Sequence, residues 1–328
     1  MANLTTSFMG IELSSPVIVG ASTFSRRTDN IKKAQDAGAG ALVIYSLFQE
    51  QIELEAQELK EALMIGSEHF PESLTYFPQL DHAGPREHVM WVEKARKEVS
   101  MPLIGSLNAV SGGNWIEYAR MLENAGCNAL ELNLYTIETD LARTSADIEQ
   151  QKLDIVAAVK HAVSIPVSVK LSPWFTSIAS FAHRVVNAGA DGVVLFNRFY
   201  QPTIDPDIEM LKTTLDLSRP EDIRLPLRWV AILSPSLDAD IAASTGAHSG
   251  KDVVRQILAG AKAAQMVSAL YQNGLDYIAV VNREISEWMD AKGYRFVDEF
   301  RGSLNQKHIP DLYGFERAQY IRILMGHE

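Results

Sequence analysis

The feature that most constrains the fold of this chain is a short pattern that recurs four times. Each copy reads Ala-Gly, two further residues and then an apolar run, and the copies begin at Ala37, Ala125, Ala188 and Ala259. A helix-like segment precedes each copy, and the glycine stands where a helix C-cap needs a left-handed backbone. The apolar run is typical of a parallel strand buried on both faces. The pattern therefore predicts four units in which a helix leads into a strand.

Four further strands complete the series, and two of them follow the sequence Val-Ser-x-Pro, whose proline fits the first residue of a strand. The eight predicted strands are residues 16–22, 41–46, 103–108, 129–135, 167–172, 192–197, 240–245 and 263–270. Helical patterns cover residues 30–37, 86–99, 114–125, 146–162, 177–188, 225–233, 250–259 and 275–292. Eight such units in 328 residues predict an α/β protein, a (β/α)8 TIM barrel that starts with a hairpin at residues 4–13. A doubly wound sheet is the alternative.

Two long connections leave the predicted barrel after strands 2 and 6, at residues 47–85 and 198–224. Both start from carboxyl ends of strands, the face on which barrel active sites are built. The first connection is interpreted either as a lid over the barrel mouth or as a subunit contact. We expect a single barrel domain over residues 1–305, followed by a C-terminal helical tail at residues 306–328.

The charge balance narrows the range of partners. The formal net charge is −11 and no basic block is present, which argues against nucleic-acid and anionic-membrane roles. The single cysteine, Cys127, rules out an internal disulfide and cysteine-ligated zinc or iron–sulfur sites, and we interpret it as structural. No apolar stretch reaches the length of a membrane span. We therefore expect a cytoplasmic protein with no metal site that acts on a small molecule.

A lysine interrupts an otherwise apolar predicted strand at Lys170. A lysine that points into a barrel needs an anionic partner, because burying an unpaired charge is unfavourable. The preferred interpretation is a bound anion or the electron-rich edge of a cofactor. Glu131 on the fourth strand is the competing partner.

Glycines and hydroxyl residues follow the last two predicted strands. Thr245 and Gly246 open the loop after the seventh strand, and Ser268 and Ala269 end the eighth. Helix N-termini at these places offer free backbone N–H groups and a favourable dipole to a phosphate. The loops after strands 7 and 8 are also the recurrent phosphate site of barrel enzymes. The two loops therefore predict a phosphate site. His248 could touch the phosphate, but an exposed loop histidine is the commoner outcome and the preferred interpretation.

Three asparagines end predicted strands at the same barrel mouth, at Asn108, Asn133 and Asn197. One such asparagine alone is typical of a turn. Three together predict amide donors and acceptors for a planar, polar ring.

With these features the chain resembles the dihydroorotate dehydrogenase family, flavin-dependent barrel enzymes of pyrimidine synthesis. The resemblance spans residues 4–305 and rests on motifs that occur in the proper order. They are Gly10-Ile11-Glu12-Leu13, Glu131-Leu132-Asn133-Leu134, Val169-Lys170-Leu171-Ser172-Pro173, the loop from Thr245 to Gly250 and a closing segment at residues 296–302. The resemblance implies that the barrel binds FMN and that the protein is a homodimer.

The resemblance also implies roles for single residues. Those implied to bind the cofactor are Ala21, Ser22, Ser46, Asn108, Asn133, Lys170, Thr245, Gly246, Ser268 and Ala269. Lys170 has a catalytic role as well, since a cation beside the pyrimidine edge of a flavin stabilises negative charge that develops there. Asn133 and Asn197 are implied to hold a pyrimidine substrate by its polar edges.

Several positions depart from the family pattern. In the family, a Ser-Cys-Pro-Asn or Ser-Ser-Pro-Asn turn follows the strand-4 asparagine and supplies the catalytic base. Here the turn reads Tyr135-Thr136-Ile137-Glu138, so Thr136 occupies the base position. The usual strand-2 lysine is Tyr45, the glycine-rich substrate loop is replaced by residues 73–78, and the strand-6 connection lacks its glycine pair. The residues that bind the cofactor in the family are thus kept in part, whereas those that bind orotate are largely lost.

Three functions remain open on this sequence. The leading one is an FMN-dependent oxidoreductase that acts on the CH–CH or C=C bond of a small polar ring, and dihydroorotate is one such ring. This function is compatible with a separate electron-transfer partner. The alternative is a flavin-binding paralogue that lacks dihydroorotate dehydrogenase activity and has a partner or regulatory role. The third is a lyase without flavin in which Lys170 forms a Schiff base.

Overall fold

The computed structural model of the chain describes residues 2–48, 83–108, 115–134, 136–199, 201–212, 216–311 and 313–317. Its strands are β1 (Thr6–Phe8), β2 (Ile11–Leu13), β3 (Val17–Val19), β4 (Ala41–Val43), β5 (Leu47–Phe48), β6 (Leu103–Asn108), β7 (Ala129–Asn133), β8 (Val167–Leu171), β9 (Gly192–Leu195), β10 (Thr203–Asp205), β11 (Met210–Lys212), β12 (Asp240–Ser244) and β13 (Ala263–Met266). Its helices are α1 (Thr28–Asp36), α2 (Ala83–Glu98), α3 (Trp115–Asn124), α4 (Ser145–Ala162), α5 (Ile178–Asn187), α6 (Arg224–Leu233), α7 (Gly250–Ala259), α8 (Ser268–Asn273) and α9 (Tyr277–Lys292).

Eight parallel strands close into a barrel in the order β3, β4, β6, β7, β8, β9, β12 and β13, with β13 pairing back to β3. The helices that follow the strands surround this barrel, and the larger apolar core lies between strands and helices. The predicted (β/α)8 TIM barrel is therefore confirmed, and the doubly wound alternative is wrong.

The four Ala-Gly copies end helices as predicted. Their glycines have φ angles between 88° and 121°, a region that side chains with a Cβ rarely occupy. Each glycine lets the chain reverse from a helix into the next buried strand. The repeat in the sequence is thus the point at which each barrel unit turns.

The N-terminal hairpin closes the bottom of the barrel. Strands β1 and β2 pair antiparallel, and their residues Phe8, Met9 and Leu13 pack against the first residues of several barrel strands. The backbone N–H of Met9 also donates to the Asp240 carboxylate at 2.7 Å. Because this end is plugged, a ligand site is left to the opposite end, where the strands have their carboxyl ends.

The eighth strand is shorter than predicted. Strand β13 stops at Met266, and Ser268 and Ala269 begin the short helix α8 rather than ending a strand. The sequence pattern missed this boundary because the residues at 267–270 continue the apolar run. Six of the other seven predicted strands also run one to three residues past their observed ends, where the chain leaves the barrel ladder.

The two long connections have different outcomes. The second contains an unpredicted hairpin of β10 and β11, on which Ile204, Met210 and Leu211 are exposed, and a 3-10 helix at Pro220–Ile223. Residues 49–82 of the first lie outside the described residues, so the choice between a lid and a subunit contact stays a prediction. Residues 312 and 318–328 of the predicted helical tail also lie outside the described residues, and the described residues of the tail form turns and bends instead of a helix.

Cys127 is buried before β7, and its burial raises the pKa of the thiol to about 12, as a structural role requires. In the part of the chain that the structure describes, no helix is long and apolar enough to cross a membrane. The same described residues bring no group of three or more His, Cys, Asp or Glu side chains into a metal-binding arrangement.

Candidate active site

A cavity of about 480 Å³ opens at the carboxyl ends of the barrel strands. Its size lies within the range of about 300–1,000 Å³ that is usual for small-molecule and cofactor pockets. Seven of the residues predicted for the site line it together: Ala21, Ser22, Lys170, Asn197, Thr245, Gly246 and Ser268. These residues come from five different βα connections and strands, so the barrel itself assembles the set.

Lys170 enters this cavity from β8 and has partners inside the chain. Its Nζ donates to Gln265 Oε1 at 2.6 Å and lies 3.4 Å from Glu131 Oε1. The amide of Gln265 in turn donates to the second oxygen of Glu131. The three side chains are buried and meet in the barrel interior. Glu131, the competing acid that the sequence offered, is therefore a partner of Lys170, and the preference for a bound anion or a cofactor edge stays a prediction.

A chain of hydrogen bonds connects three strand ends to the cavity. The hydroxyls of Ser46 and Ser106 are 2.8 Å apart, and Asn133 Nδ2 donates to Ser106 Oγ at 2.8 Å. Asn197 Nδ2 donates to Asn133 Oδ1 at 3.1 Å, and Asn197 lines the cavity. The two predicted substrate asparagines are thus in direct contact, and Ser46 and Ser106 hold the orientation of Asn133.

The loop after β12 turns sharply toward the cavity. Thr245 and Gly246 have φ angles of 80° and 81°, and the Thr245 hydroxyl donates to the Phe196 carbonyl at 3.2 Å. A Cβ on Gly246 would stand 2.1 Å from the backbone nitrogen of Ile223. Left-handed backbone at a β-branched residue is costly and is kept only where the surroundings fix it. The loop therefore presents its backbone to the cavity in one fixed shape.

The connection after β9 packs against the same loop. The backbone N–H of Ser218 donates to Ser268 Oγ at 2.9 Å, and Ser218 Oγ lies 3.1 Å from His248 Nε2. His248 is half-buried and bonded to Ser218, so the interpretation as an exposed loop histidine is wrong. Because Ser268 Oγ accepts the bond from Ser218, its own O–H group is left to donate toward the cavity.

Five predicted residues lie outside this lining, and two of them, Ser46 and Asn133, are connected to it through Asn197. Asn108 and Ala269 are buried beside it, and Asn108 Oδ1 has no hydrogen-bond partner among the described residues. Thr136 lines a second cavity, of about 490 Å³, and accepts a hydrogen bond of 3.1 Å from Lys152 Nζ. Phe199 and Gln201 line both cavities, so the two are neighbours.

The sequence pattern of the Dihydroorotate dehydrogenase family matches residues 80–289, which is more than half of the chain. The chain belongs to the dihydroorotate dehydrogenase family. The barrel described above, with Lys170 on β8 and the loops at Gly246 and Ser268, is therefore the barrel of a member of this family of enzymes.

Curated relatives from the same family match between 68% and 92% of the chain. The catalytic subunit of dihydroorotate dehydrogenase B (NAD⁺) from Thermoplasma acidophilum is 26% identical over 92% of this chain and 99% of its own length. The corresponding subunit from Methanocaldococcus jannaschii is 28% identical over 87% of this chain and 93% of its own length. A putative dihydroorotate dehydrogenase A (fumarate) from Aeropyrum pernix is 29% identical over 68% of this chain and 74% of its own length.

Dihydroorotate dehydrogenases are generally flavin-dependent, and the first cavity fits a flavin phosphate ester. Ser22 Oγ is buried there and has no partner among the described residues, so it is an open polar contact for a ligand. The Gly246 turn leaves no room for a side chain because the backbone at Ile223 packs against it, which fixes the loop that borders the cavity. Lys170 supplies a cation, and Ser268 supplies a hydroxyl at a helix N-terminus.

Four residues of the site escaped the sequence interpretation or were left out of its role assignments: Ser106, Lys152, Ser218 and Gln265. Gln265 carried a usable signal, because a polar residue within the apolar strand β13 is as unusual as Lys170 in β8. Lys152 carried none, since a lysine on a helix is ordinarily a solvated residue. Its burial becomes visible only when helix α4 is placed against the turn after β7.

Proposed function

We propose that this chain is an FMN-dependent oxidoreductase that acts on the CH–CH or C=C bond of a small polar ring, with the oxidation of dihydroorotate to orotate as its first candidate reaction. The observation that carries the proposal is the joint lining of one cavity by Lys170, Ser22, Gly246 and Ser268 in a chain of this family. A lyase that uses Lys170 as a free amine is disfavoured, because Nζ already donates to Gln265 and lies beside Glu131.

Different residues of the first cavity would hold different parts of the cofactor. The turn at Thr245 and Gly246 and the hydroxyl of Ser268 suit a phosphate, since backbone N–H groups at the start of α7 and α8 favour negative charge. Ala21 and Ser22 line the same cavity as Lys170 and would hold the ring system of the cofactor there. Bound FMN supplies a hydride acceptor. Lys170 favours the transfer, because its cation stabilises the negative charge that the transfer brings to the cavity.

The substrate side is formed by Asn133, Asn197 and Thr136. Asn133 is fixed by Ser106 and in turn orients the amide of Asn197, which lines the cavity and suits the polar edge of a planar ring. Thr136 Oγ is the candidate acceptor for the proton that leaves one ring carbon as hydride leaves its neighbour. Because Phe199 and Gln201 border both cavities, we infer that the ring lies between Lys170 and Thr136.

We also propose a cytoplasmic homodimer, a single barrel domain over residues 1–305 and an electron-transfer partner. The exposed apolar residues of the β10–β11 hairpin support a protein contact at this edge. The relatives named as catalytic subunits support a separate electron-transfer subunit. The single cysteine agrees with this division, because the chain lacks the ligands for its own iron–sulfur cluster.

The first test is an absorption spectrum of the purified protein, followed by anaerobic addition of dihydroorotate. We expect flavin bands at about 375 and 450 nm and loss of the longer-wavelength band on addition. Thr136→Ala should slow this loss at least about tenfold, because it removes the proton acceptor. Ser303→Ala, which removes an exposed hydroxyl that lines neither cavity, is the control and should react at the unmodified rate.

Each of the other possible outcomes would contradict one part of the proposal. A colourless protein that does not take up FMN would refute the cofactor assignment. Bound flavin that stays oxidised with dihydroorotate would favour the paralogue without dihydroorotate dehydrogenase activity, a reading favoured by the contact of Thr136 with Lys152 away from the first cavity. An unchanged rate in Thr136→Ala would remove Thr136 from the mechanism.

A further inference from the structure

The second cavity contains a buried cation that no carboxylate neutralises at contact distance. Lys152, on helix α4, is 8% exposed and lines this cavity beside Thr136. Its Nζ donates to Thr136 Oγ1 at 3.1 Å, and among the described residues it has no ion-pair partner. An ammonium group has three N–H donors, so two remain for other acceptors. Burying such a group without a counter-ion is unfavourable.

The acids around Lys152 are already paired with arginines. Glu138 lies 2.7 Å from Arg143, and Glu149 lies 2.6 Å from Arg184. Glu138 and Glu149 line the cavity as well, but each is neutralised by its arginine, so the five charged groups of this cluster sum to a single positive charge. Burial lowers the pKa of Lys152, and the field of Glu138 offsets this only in part. An anion in the cavity would remove this imbalance.

The remaining walls suit a flat, partly apolar ligand. Phe175, Trp174 and Phe199 line the cavity, and the ring of Phe175 is stacked on Phe181 with centroids 4.0 Å apart, which holds its face in place. Aromatic side chains pack well against planar rings. Hydroxyl groups of Thr136, Ser145 and Ser172 add neutral hydrogen-bonding groups to this wall.

We propose that the second cavity binds the carboxylate of a planar ring compound and that Lys152 is its counter-ion. The ammonium group makes charge-assisted hydrogen bonds to the carboxylate while the ring lies against the aromatic wall. The ring is thereby held beside Thr136. Lys152 thus selects a carboxylated ring over the same ring without the carboxylate, and it takes over an anchoring task for which Tyr45 and residues 73–78 lack the family's residues.

This inference rests on the proposed function for the identity of the ring, but its test does not depend on flavin. The probes are orotate and uracil, which share a pyrimidine ring and differ in the carboxylate. Binding of each is measured by titration calorimetry on the purified full chain, whose flavin content is read from the same sample. A protein without flavin would refute the proposed function and would still report whether Lys152 distinguishes the two probes.

We expect orotate to bind at least about tenfold more tightly than uracil, a ratio that matches a hydrogen bond to a charged group. Lys152→Met should weaken orotate binding by about the same factor and leave uracil binding unchanged. Lys97→Met, which removes an exposed lysine from α2, is the control and should bind both probes as the unmodified chain does. Equal affinity of Lys152→Met and the unmodified chain for orotate, or no binding of orotate to the unmodified chain, would overturn the proposal.

A second measurement needs no variant and so does not depend on the folding of Lys152→Met. Reductive methylation of the unmodified chain is followed at single lysines by peptide mass spectrometry. Orotate should protect the Lys152 amine at least about tenfold, uracil should not, and Lys97 should react equally under all conditions. Methylation of Lys152 at one rate with and without orotate would refute the assignment.

Discussion

At the scale of single residues, Gly246 tests how tightly the loop beside the first cavity packs against the backbone at Ile223. Gly246→Ala places a methyl group 2.1 Å from the Ile223 backbone nitrogen, whereas Gly293, with a φ of 79°, has no atom within 4 Å of its would-be Cβ. Gly293→Ala should cost about 1 kcal/mol of unfolding free energy for the left-handed backbone alone. Gly246→Ala should cost a further ~1–3 kcal/mol for the clash and should also lose flavin. Urea unfolding and flavin content measure both effects, and equal losses in the two variants would show that the loop relaxes freely.

Lys170 shows what the sequence can and cannot predict about a residue. A lysine in an apolar strand is recognisable from its neighbours, and so is its place at the barrel mouth. Its partner Gln265 is 95 residues away in sequence, on a strand that does not pair with β8. The contact exists because inward side chains of a closed barrel meet across its interior. Only the closed geometry reveals it.

At the scale of elements, Asp252 ties the loop after β12 to helix α7. It is 4% exposed, and its Oδ2 accepts bonds from the His248 N–H at 3.0 Å and the Ser249 hydroxyl at 2.9 Å. Asp252→Ala leaves these donors without an acceptor and should cost about 1–3 kcal/mol of unfolding free energy. Flavin retention should fall with it, since the loop loses its fixed shape.

Asp252→Asn keeps one acceptor oxygen and should be the milder change. Asp290→Ala, at an exposed position of α9, controls for the loss of a carboxylate and should stay within about 0.5 kcal/mol of the unmodified chain. Urea unfolding measures all three variants. An Asp252→Ala protein as stable as Asp290→Ala would mean that the loop is held by other contacts.

Some helices and strands of this fold can be predicted from the sequence, and others cannot. The helix ends at Gly38, Gly126, Gly189 and Gly260 are predictable, because a glycine followed by a buried run leaves little choice of backbone. The end of β13 is not, since the apolar run continues into α8 and only the loss of barrel pairing marks the change. The β10–β11 hairpin also escapes prediction, because its exposed apolar residues lack the alternation of a half-buried strand.

At the scale of the whole molecule, the closed barrel makes the outer layer of helices bury groups that would otherwise meet water. His88 on α2 is 3% exposed, stands edge-on to the Tyr45 ring, and neither ring nitrogen has a hydrogen-bond partner among the described residues. Burial lowers the pKa of His88 from 6.5 to about 4. The neutral ring therefore fits the folded chain, and the protonated ring favours the unfolded chain.

Because the pKa of His88 is lower in the folded chain than in the unfolded chain, His88 affects stability only within a defined pH range. Above pH 6.5 the residue is neutral in both states and has no effect on the pH dependence, whereas between pH 6.5 and about 4 the unfolded chain takes up a proton that the folded chain does not. Folding should lose roughly 3 kcal/mol through this one group as the pH falls across that window. His88→Phe keeps an aromatic ring against Tyr45 and cannot be protonated, so its stability should fall by about that much less.

Urea unfolding at several pH values between 7.5 and 4.5 measures the difference, which isolates His88 from the carboxylates that titrate in both proteins. His161→Gln, at an exposed position on α4, is the matched control and should follow the unmodified chain. Parallel stability curves for His88→Phe and the unmodified chain would show that His88 becomes protonated without opening the packing between α2 and the barrel. A flatter curve for His88→Phe alone would assign part of the acid sensitivity of the whole barrel to one buried ring.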